Sequence, residues 1–293
     1  MKRVPVILGP TAVGKSRVAF ELALALDGEI VVADSRQVYR RLEIATNKPP
    51  AEDRRRVRYH GLDLVEPEGT FNVHEYVTAL APVLEAVPRP VLEGGSNLYV
   101  DALVDGLTLG GVAPRPGRRA ELDLLSTAEL GELARRLDPE VAIDFANRVR
   151  LVRAIEVLEV AGPPLARLRT RVAPPWEGVR IGLELPPEVL AERIRGRCAS
   201  QLARGLVEET RQALEAGVSP ASQALSGTGY AESVAFLEGR VSEADLPELM
   251  ARNNRRLAKR QLTWLARDAR IRWFPAEPDP VPGILKFLRD TLD

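Results

Sequence analysis

The stretch Val4–Leu26, VPVILGPTAVGKSRVAFELALAL, decides the fold. Val4–Leu8 is a short apolar run ended by Gly-Pro, which reads as a buried strand. From Arg17 onward, Val18, Leu22, Ala25 and Leu26 recur at helical spacing. Between them lies GPTAVGKS, in which Gly9, Gly14, Lys15 and Ser16 fit the pattern Gly, four residues, Gly-Lys-Ser. Strand, glycine loop and helix together form a phosphate cradle. Along Gly9, Pro10, Thr11, Ala12, Val13 and Gly14 the backbone can wrap an anion beside a helix N-terminus. Lys15 adds a mobile charge, and the Ser16 hydroxyl can ligate Mg2+.

Working outward, strands and helices alternate. EIVVADS (29–35) is a second strand with Asp34 at its C-terminal end, and GLDLVEP (61–67) reads as another short one. PVLEGGSNLY (90–99) reads as strand, glycine turn and helix start, while VRIGLELP (179–186) and IRWFP (271–275) are further strands. Such alternation predicts an α/β fold: a P-loop NTPase-like parallel sheet covered by helices. Ligands of such sheets gather at the carboxyl ends of strands, where Gly9, Asp34 and Gly94 should converge. Two Pro/Gly-rich breakers, LTLGGVAPRPGRRAELDLLS (107–126) and AGPPLARLRTRVAPPWEG (161–178), bracket helical stretches. The expected division is a core of residues 1–110 and 175–293 with a helical insertion domain at 111–174.

The chain has 293 residues, enough for one large or two modest domains, and 41 basic against 41 acidic residues. Zero net charge excludes a uniformly basic nucleic-acid binder but not local basic patches. A single cysteine, Cys198, excludes an internal disulfide framework and a four-cysteine zinc site. No run approaches the ~18 apolar residues of a membrane span, and VPVIL, broken by Pro5, makes a poor signal peptide. A reducing cytoplasmic setting with no membrane association is the expectation.

Asp34 has two readings, a helix-capping residue or a cleft acid that accepts a proton or holds magnesium through water. GGSNLY offers a glycine turn and the Ser96 hydroxyl. Two segments are basic. NRVRLVRAIEV (147–157) sets Arg150 and Arg153 three apart, and ARNNRRLAKRQLTWLARD (251–268) sets Arg252, Arg256 and Arg260 at i, i+4, i+8. Acids are nearly absent from 252–267, a local concentration that points to a polyanion. His60, His74 and Cys198 lack ligand spacing and read as core or surface residues.

Taken together, these stretches resemble the bacterial-type tRNA dimethylallyltransferases (tRNA isopentenyltransferases) nearly end to end. The resemblance rests on GPTAVGKS, DSRQVYRRLEIATNKP, GTFNVHEYV, GGSNLYVDALVDGL, RVRLVRAIEV, RIRGRCASQLARGLVEE, GYAESVAFLEG and LAKRQLTWLARD. It implies a magnesium-dependent monomer. The enzyme would transfer a dimethylallyl group from dimethylallyl diphosphate to N6 of the tRNA adenosine 3′-adjacent to the anticodon, releasing diphosphate. Asp34 would accept the proton, and Lys15, Ser16 and Arg197 would serve the diphosphate, with Mg2+ on Ser16. Contacts to the tRNA anticodon stem-loop would fall on Asp34, Ser35, Arg36, Gln37, Ser96, Arg118, Val149, Arg150, Leu151, Val152 and Arg153, and on the Arg256 and Arg260 face. The insertion would grip the stem.

The chain departs from the family pattern at four places. Ala45 stands for a usual glycine, Ser96 for a common threonine, Glu93 for an apolar residue, and Ala231 for a basic one. Competing readings are a P-loop small-molecule or nucleotide kinase, an adenylate isopentenyltransferase, and a non-catalytic RNA-binding module.

Overall fold

The computed structural model describes residues 1–107, 112, 115–168 and 171–292. The Gly-rich start of the expected insertion, and its boundary at 110/111, lie outside the described residues. The chain divides into two units, Met1–Val104 with Pro175–Asp293, and Asp105–Pro174.

The larger unit is built on six parallel strands: β1 (Lys2–Leu8), β2 (Glu29–Val32), β3 (Tyr59–His60), β4 (Pro90–Glu93), β5 (Trp176–Glu184) and β6 (Arg272–Pro275). They run in the order β3-β2-β4-β1-β5-β6. Val4–Leu8 and all four residues of β4 are buried, as expected of strands covered on both faces. In this register Glu93 lies opposite both Ile7 and Val32, so the last residue of β4 sits between the ends of β1 and β2.

Helices α1 (Lys15–Leu26), α2 (Ala51–Arg56), α3 (Val73–Ala86) and α4 (Asn97–Val104) connect the first strands. The start of α3 is a capping box. Asn72 accepts from the His74 and Glu75 amides, while the Glu75 carboxylate accepts from the Asn72 amide at 2.7 Å. GLDLVEP is not a strand. The chain pairs with β2 one step earlier, at Tyr59–His60, and then turns at Gly61 and Asp63, both with positive φ. Val65 keeps only a bridge to Tyr39. The Asp63 turn serves Lys48, whose buried ammonium donates to Asp63 at 2.6 Å, Glu43 at 2.8 Å and the Tyr39 carbonyl at 2.6 Å. A buried charge so fully paired fixes the segment after Asp34.

The smaller unit contains α5 (Pro116–Asp123), α6 (Thr127–Leu137) and α7 (Arg148–Ala161), packed around Leu122, Leu130, Ala134, Leu151 and Ile155. The chain then returns to the larger unit, where β5 is followed by α8 (Pro187–Ala203), α9 (Leu206–Glu215), α10 (Tyr230–Leu237), α11 (Leu246–Leu265) and, after β6, α12 (Val281–Leu292). Among the described residues, no helix is long and apolar enough to cross a membrane.

Candidate active site

The phosphate loop leaves β1 at Gly9, whose φ is 145° and whose added Cβ would lie 2.8 Å from the Leu183 carbonyl. Only glycine fits so close an approach. The loop ends at Gly14, the N-cap of α1. Lys15 is buried, and its ammonium donates to the Gly9 and Pro10 carbonyls at 3.0 and 2.9 Å. Ser16 is exposed and donates to the Glu93 carboxylate at 3.3–3.4 Å. From α8, Arg197 donates to the Thr11 hydroxyl at 2.8 Å, and its Nε is buried without a hydrogen-bond partner. Such an orphaned donor beside the loop is suited to an anion.

Asp34 lies two residues past β2, and its Oδ1 accepts from the Arg36 amide at 2.8 Å. This Asx turn exposes one edge of the carboxylate to the cleft. The Ser96 hydroxyl accepts from the Ser35 amide at 2.9 Å and donates to the Ser35 hydroxyl at 3.1 Å, tying the turn to the glycine loop after β4. At Gly94 an added Cβ would stand 2.1 Å from the Ala33 carbonyl, so the two loops touch backbone to backbone. The Arg36 guanidinium is held by the Gln223 carbonyl and by the Ser226 hydroxyl. Gln37 is buried with its Oε1 unpartnered. Lys15, Ser16, Asp34, Arg36, Gln37, Glu93 and Arg197 thus line one cleft.

Gln261 of α11 belongs to the same cleft, though the sequence reading gave it no role. Its Oε1 accepts from the Thr11 amide at 2.8 Å, and its Nε2 donates to the Gly95 carbonyl at 2.9 Å. The signal was available. Met250, Asn254, Ala258, Gln261 and Leu265 form the buried stripe of α11, and a glutamine on such a stripe needs polar partners.

Electrostatics in the cleft are dominated by burial. It pulls the Lys15 ammonium down to about 8 against the opposing pull of Glu93 and Asp34. It pushes the Glu93 carboxyl up to about 7 despite Lys15, and it lowers Arg197. An arriving polyanion reverses the penalty on both cations. The donors near Ser16 are hydroxyl and carboxylate oxygens, a hard set that fits Mg2+ and not a thiophilic metal. Among the described residues no group of three or more His, Cys, Asp or Glu is arranged to hold a metal alone. An ion here would therefore complete its coordination with water or with phosphate oxygens.

The expected RNA contacts outside this cleft fall into two sets. On α11, Arg256 and Arg260 are exposed, whereas Arg255 pairs with Glu248 at 2.7 Å. Asp268, a conceivable partner for that face, is instead engaged by Arg180 and Arg270. In the smaller unit Val149 and Arg150 are exposed. The other residues expected there are placed differently. Leu151 and Val152 have their side chains buried in that unit's core, as the apolar face of α7 requires. Arg153 is half-buried, donating to the Val112 carbonyl at 2.7 Å beside Glu156. Arg118 is engaged by Glu159 at 2.7 Å and Glu121 at 2.5 Å.

Known proteins share this arrangement of sheet and loops. A family profile described as IPP transferase matches residues 37–268. A tRNA dimethylallyltransferase from Thermomicrobium roseum is 36% identical, the match covering 100% of this chain and 92% of the relative. One from Geobacter sulfurreducens is 38% identical over 97% of this chain and 96% of its own length. Among solved structures, the full-length tRNA isopentenylpyrophosphate transferase of Bacillus halodurans superposes with a TM-score of 0.75 at 31% identity, covering 99% of this chain and 96% of the other. A eukaryotic dimethylallyltransferase, described as acting on tRNA, shares the fold with a TM-score of 0.84 at 22% identity, over 98% of this chain and 78% of its own.

Proposed function

We propose that this chain, which belongs to the IPP transferase family, transfers a dimethylallyl group from dimethylallyl diphosphate to N6 of the tRNA adenosine beside the anticodon. The observation that carries the reading is the convergence of Lys15, Ser16, Asp34 and Arg197 on one cleft. The loop amides, Lys15 and Arg197 bind the diphosphate and take up the negative charge that grows on it as the allylic C–O bond breaks. Ser16 would hold Mg2+, which would supply further positive charge to that leaving group. Asp34, whose Oδ1 is fixed by the Arg36 amide, accepts the proton that N6 sheds as the new C–N bond forms. The adenosine must leave its stack to reach the carboxylate. Gln37, with its unpartnered acceptor in the cleft, is available to the base edge. The smaller helical unit supplies further contacts to the anticodon stem, and the enzyme works as a cytoplasmic monomer.

One incubation tests this. Radiolabelled dimethylallyl diphosphate is mixed with bulk tRNA, AMP or buffer, and label should appear in RNA alone. Label in AMP makes the enzyme an adenylate prenyltransferase. Protection from thermal unfolding by ATP, and not by dimethylallyl diphosphate, returns the kinase reading.

A further inference from the structure

Glu93 has no part in the transfer as derived above, yet it is the most anomalous residue of the cleft. It ends a strand whose other residues are Pro90, Val91 and Leu92, and it is only 4% exposed. A carboxylate placed so deep is unfavourable unless something offsets its charge. Lys15 offsets part of that charge from a distance, but its ammonium donates to the Gly9 and Pro10 carbonyls and makes no hydrogen bond to Glu93 among the described residues. The hydrogen bond Glu93 does accept comes from the Ser16 hydroxyl, at 3.3 Å to one carboxylate oxygen and 3.4 Å to the other. Neighbouring oxygen ligands on an octahedral Mg2+, each at about 2.1 Å, stand about 3 Å apart. The Ser16 and Glu93 oxygens are within a few tenths of an ångström of that spacing. Position in the sheet adds a second argument. Glu93 lies between the ends of β1 and β2, beside the phosphate loop. In other phosphate-loop proteins a strand-end acid there joins the loop hydroxyl in holding magnesium.

We propose that Glu93 is a divalent-cation ligand, completing with Ser16 a magnesium site at the floor of the cleft. The inference rests on the diphosphate reading of the loop and extends it. The ion is held by this chain's own oxygens before the diphosphate arrives, so the donor meets a site already charged. The 4% exposure of Glu93 accords with this role, since a resident cation offsets the charge that burial penalises.

The test is direct binding of Mn2+ alone to the full-length protein, followed by loss of the free-ion EPR signal. Wild type is compared with Glu93→Gln, Glu93→Val and Ser16→Ala, each checked for folding by circular dichroism. Both Glu93 variants should bind Mn2+ roughly 10- to 100-fold more weakly, the range seen when a ligand or its support is removed. Valine suits a fully buried strand position, so Glu93→Val should melt no lower than wild type without metal and keeps the test alive if the glutamine variant misfolds. A weakening of less than about tenfold in a folded Glu93 variant overturns the proposal. If Ser16→Ala alone loses Mn2+, Glu93 is no ligand while the loop reading stands. If none of the three changes binding, the ion is not on Ser16 either. The labelled-transfer experiment decides the prenyl-transfer reading separately.

Discussion

Two arginine-rich helices look alike in sequence and differ in structure. Around α7, Arg119 and Arg153 bracket the fully buried Glu156, while Arg115 and Arg118 hold Glu159. On α11, Arg256, Lys259 and Arg260 stand exposed and make no ion pair among the described residues. The first helix uses most of its positive charge to assemble its own unit, and the second presents it to solvent. A basic run is therefore a binding face only where the fold brings no acid to it. The partners of these α7 carboxylates come from 37 to 44 residues away, out of reach of any reading of spacing along one helix.

Three variants sharpen or break this contrast. The largest effect is expected from Arg256→Glu combined with Arg260→Glu. Removing one phosphate contact should flatten the slope of log K against log salt by roughly 0.7–0.9, so removing two amounts to roughly 25- to 60-fold in tRNA affinity at 0.1 M salt. Donor binding and melting temperature should hold. A double mutant that melts early with an unchanged slope makes α11 a structural cover, like α7.

Glu156→Gln should act in the opposite way, lowering stability by about 1–2 kcal/mol in chemical denaturation while sparing the salt slope. Burial pushes the Glu156 carboxyl up, but hydrogen bonds from Arg119 and the Arg115 amide outweigh it and leave it below its ordinary 4.5. With a folded value below the unfolded one, the contribution is full at neutral pH and fades as pH falls through the depressed value. The gap between wild type and variant should therefore close in acid. Arg118→Ala should do least. Its guanidinium is already matched by Glu159 and Glu121, so tRNA affinity should stay within about threefold, less than one full phosphate contact is worth. A clear reduction of slope in this variant would falsify the pairing argument for the α7 region.

Much of the fold was legible because the chain speaks in local patterns. The apolar run into GPTAVGKS, the acid after EIVV and the glycines after PVLE each mark the carboxyl end of a strand, and the ends meet as parallel-sheet geometry requires. Short pairing was harder to read. β3 is two residues long, and GLDLVEP, though richer in apolar residues, is turned away by Gly61 and Asp63 so that Asp63 can reach Lys48. Residues that a local motif brings to the cleft were also legible. Those defined by distant contact were not. Gln261 acts 250 residues from Thr11, and Glu93 reads as a mere deviation until the fold sets the Ser16 hydroxyl against it.

The proposed transfer depends on Asp34 as the proton acceptor beside a diphosphate held by the loop. The direct measurement is the single-turnover rate of dimethylallyl transfer to tRNA by Asp34→Ala, with tRNA affinity measured on the same protein. The predicted result is a fall of roughly 10²–10⁴ in rate, as for loss of a general base, with tRNA affinity within a few-fold of wild type. A variant that keeps more than about a third of the wild-type rate contradicts the assignment.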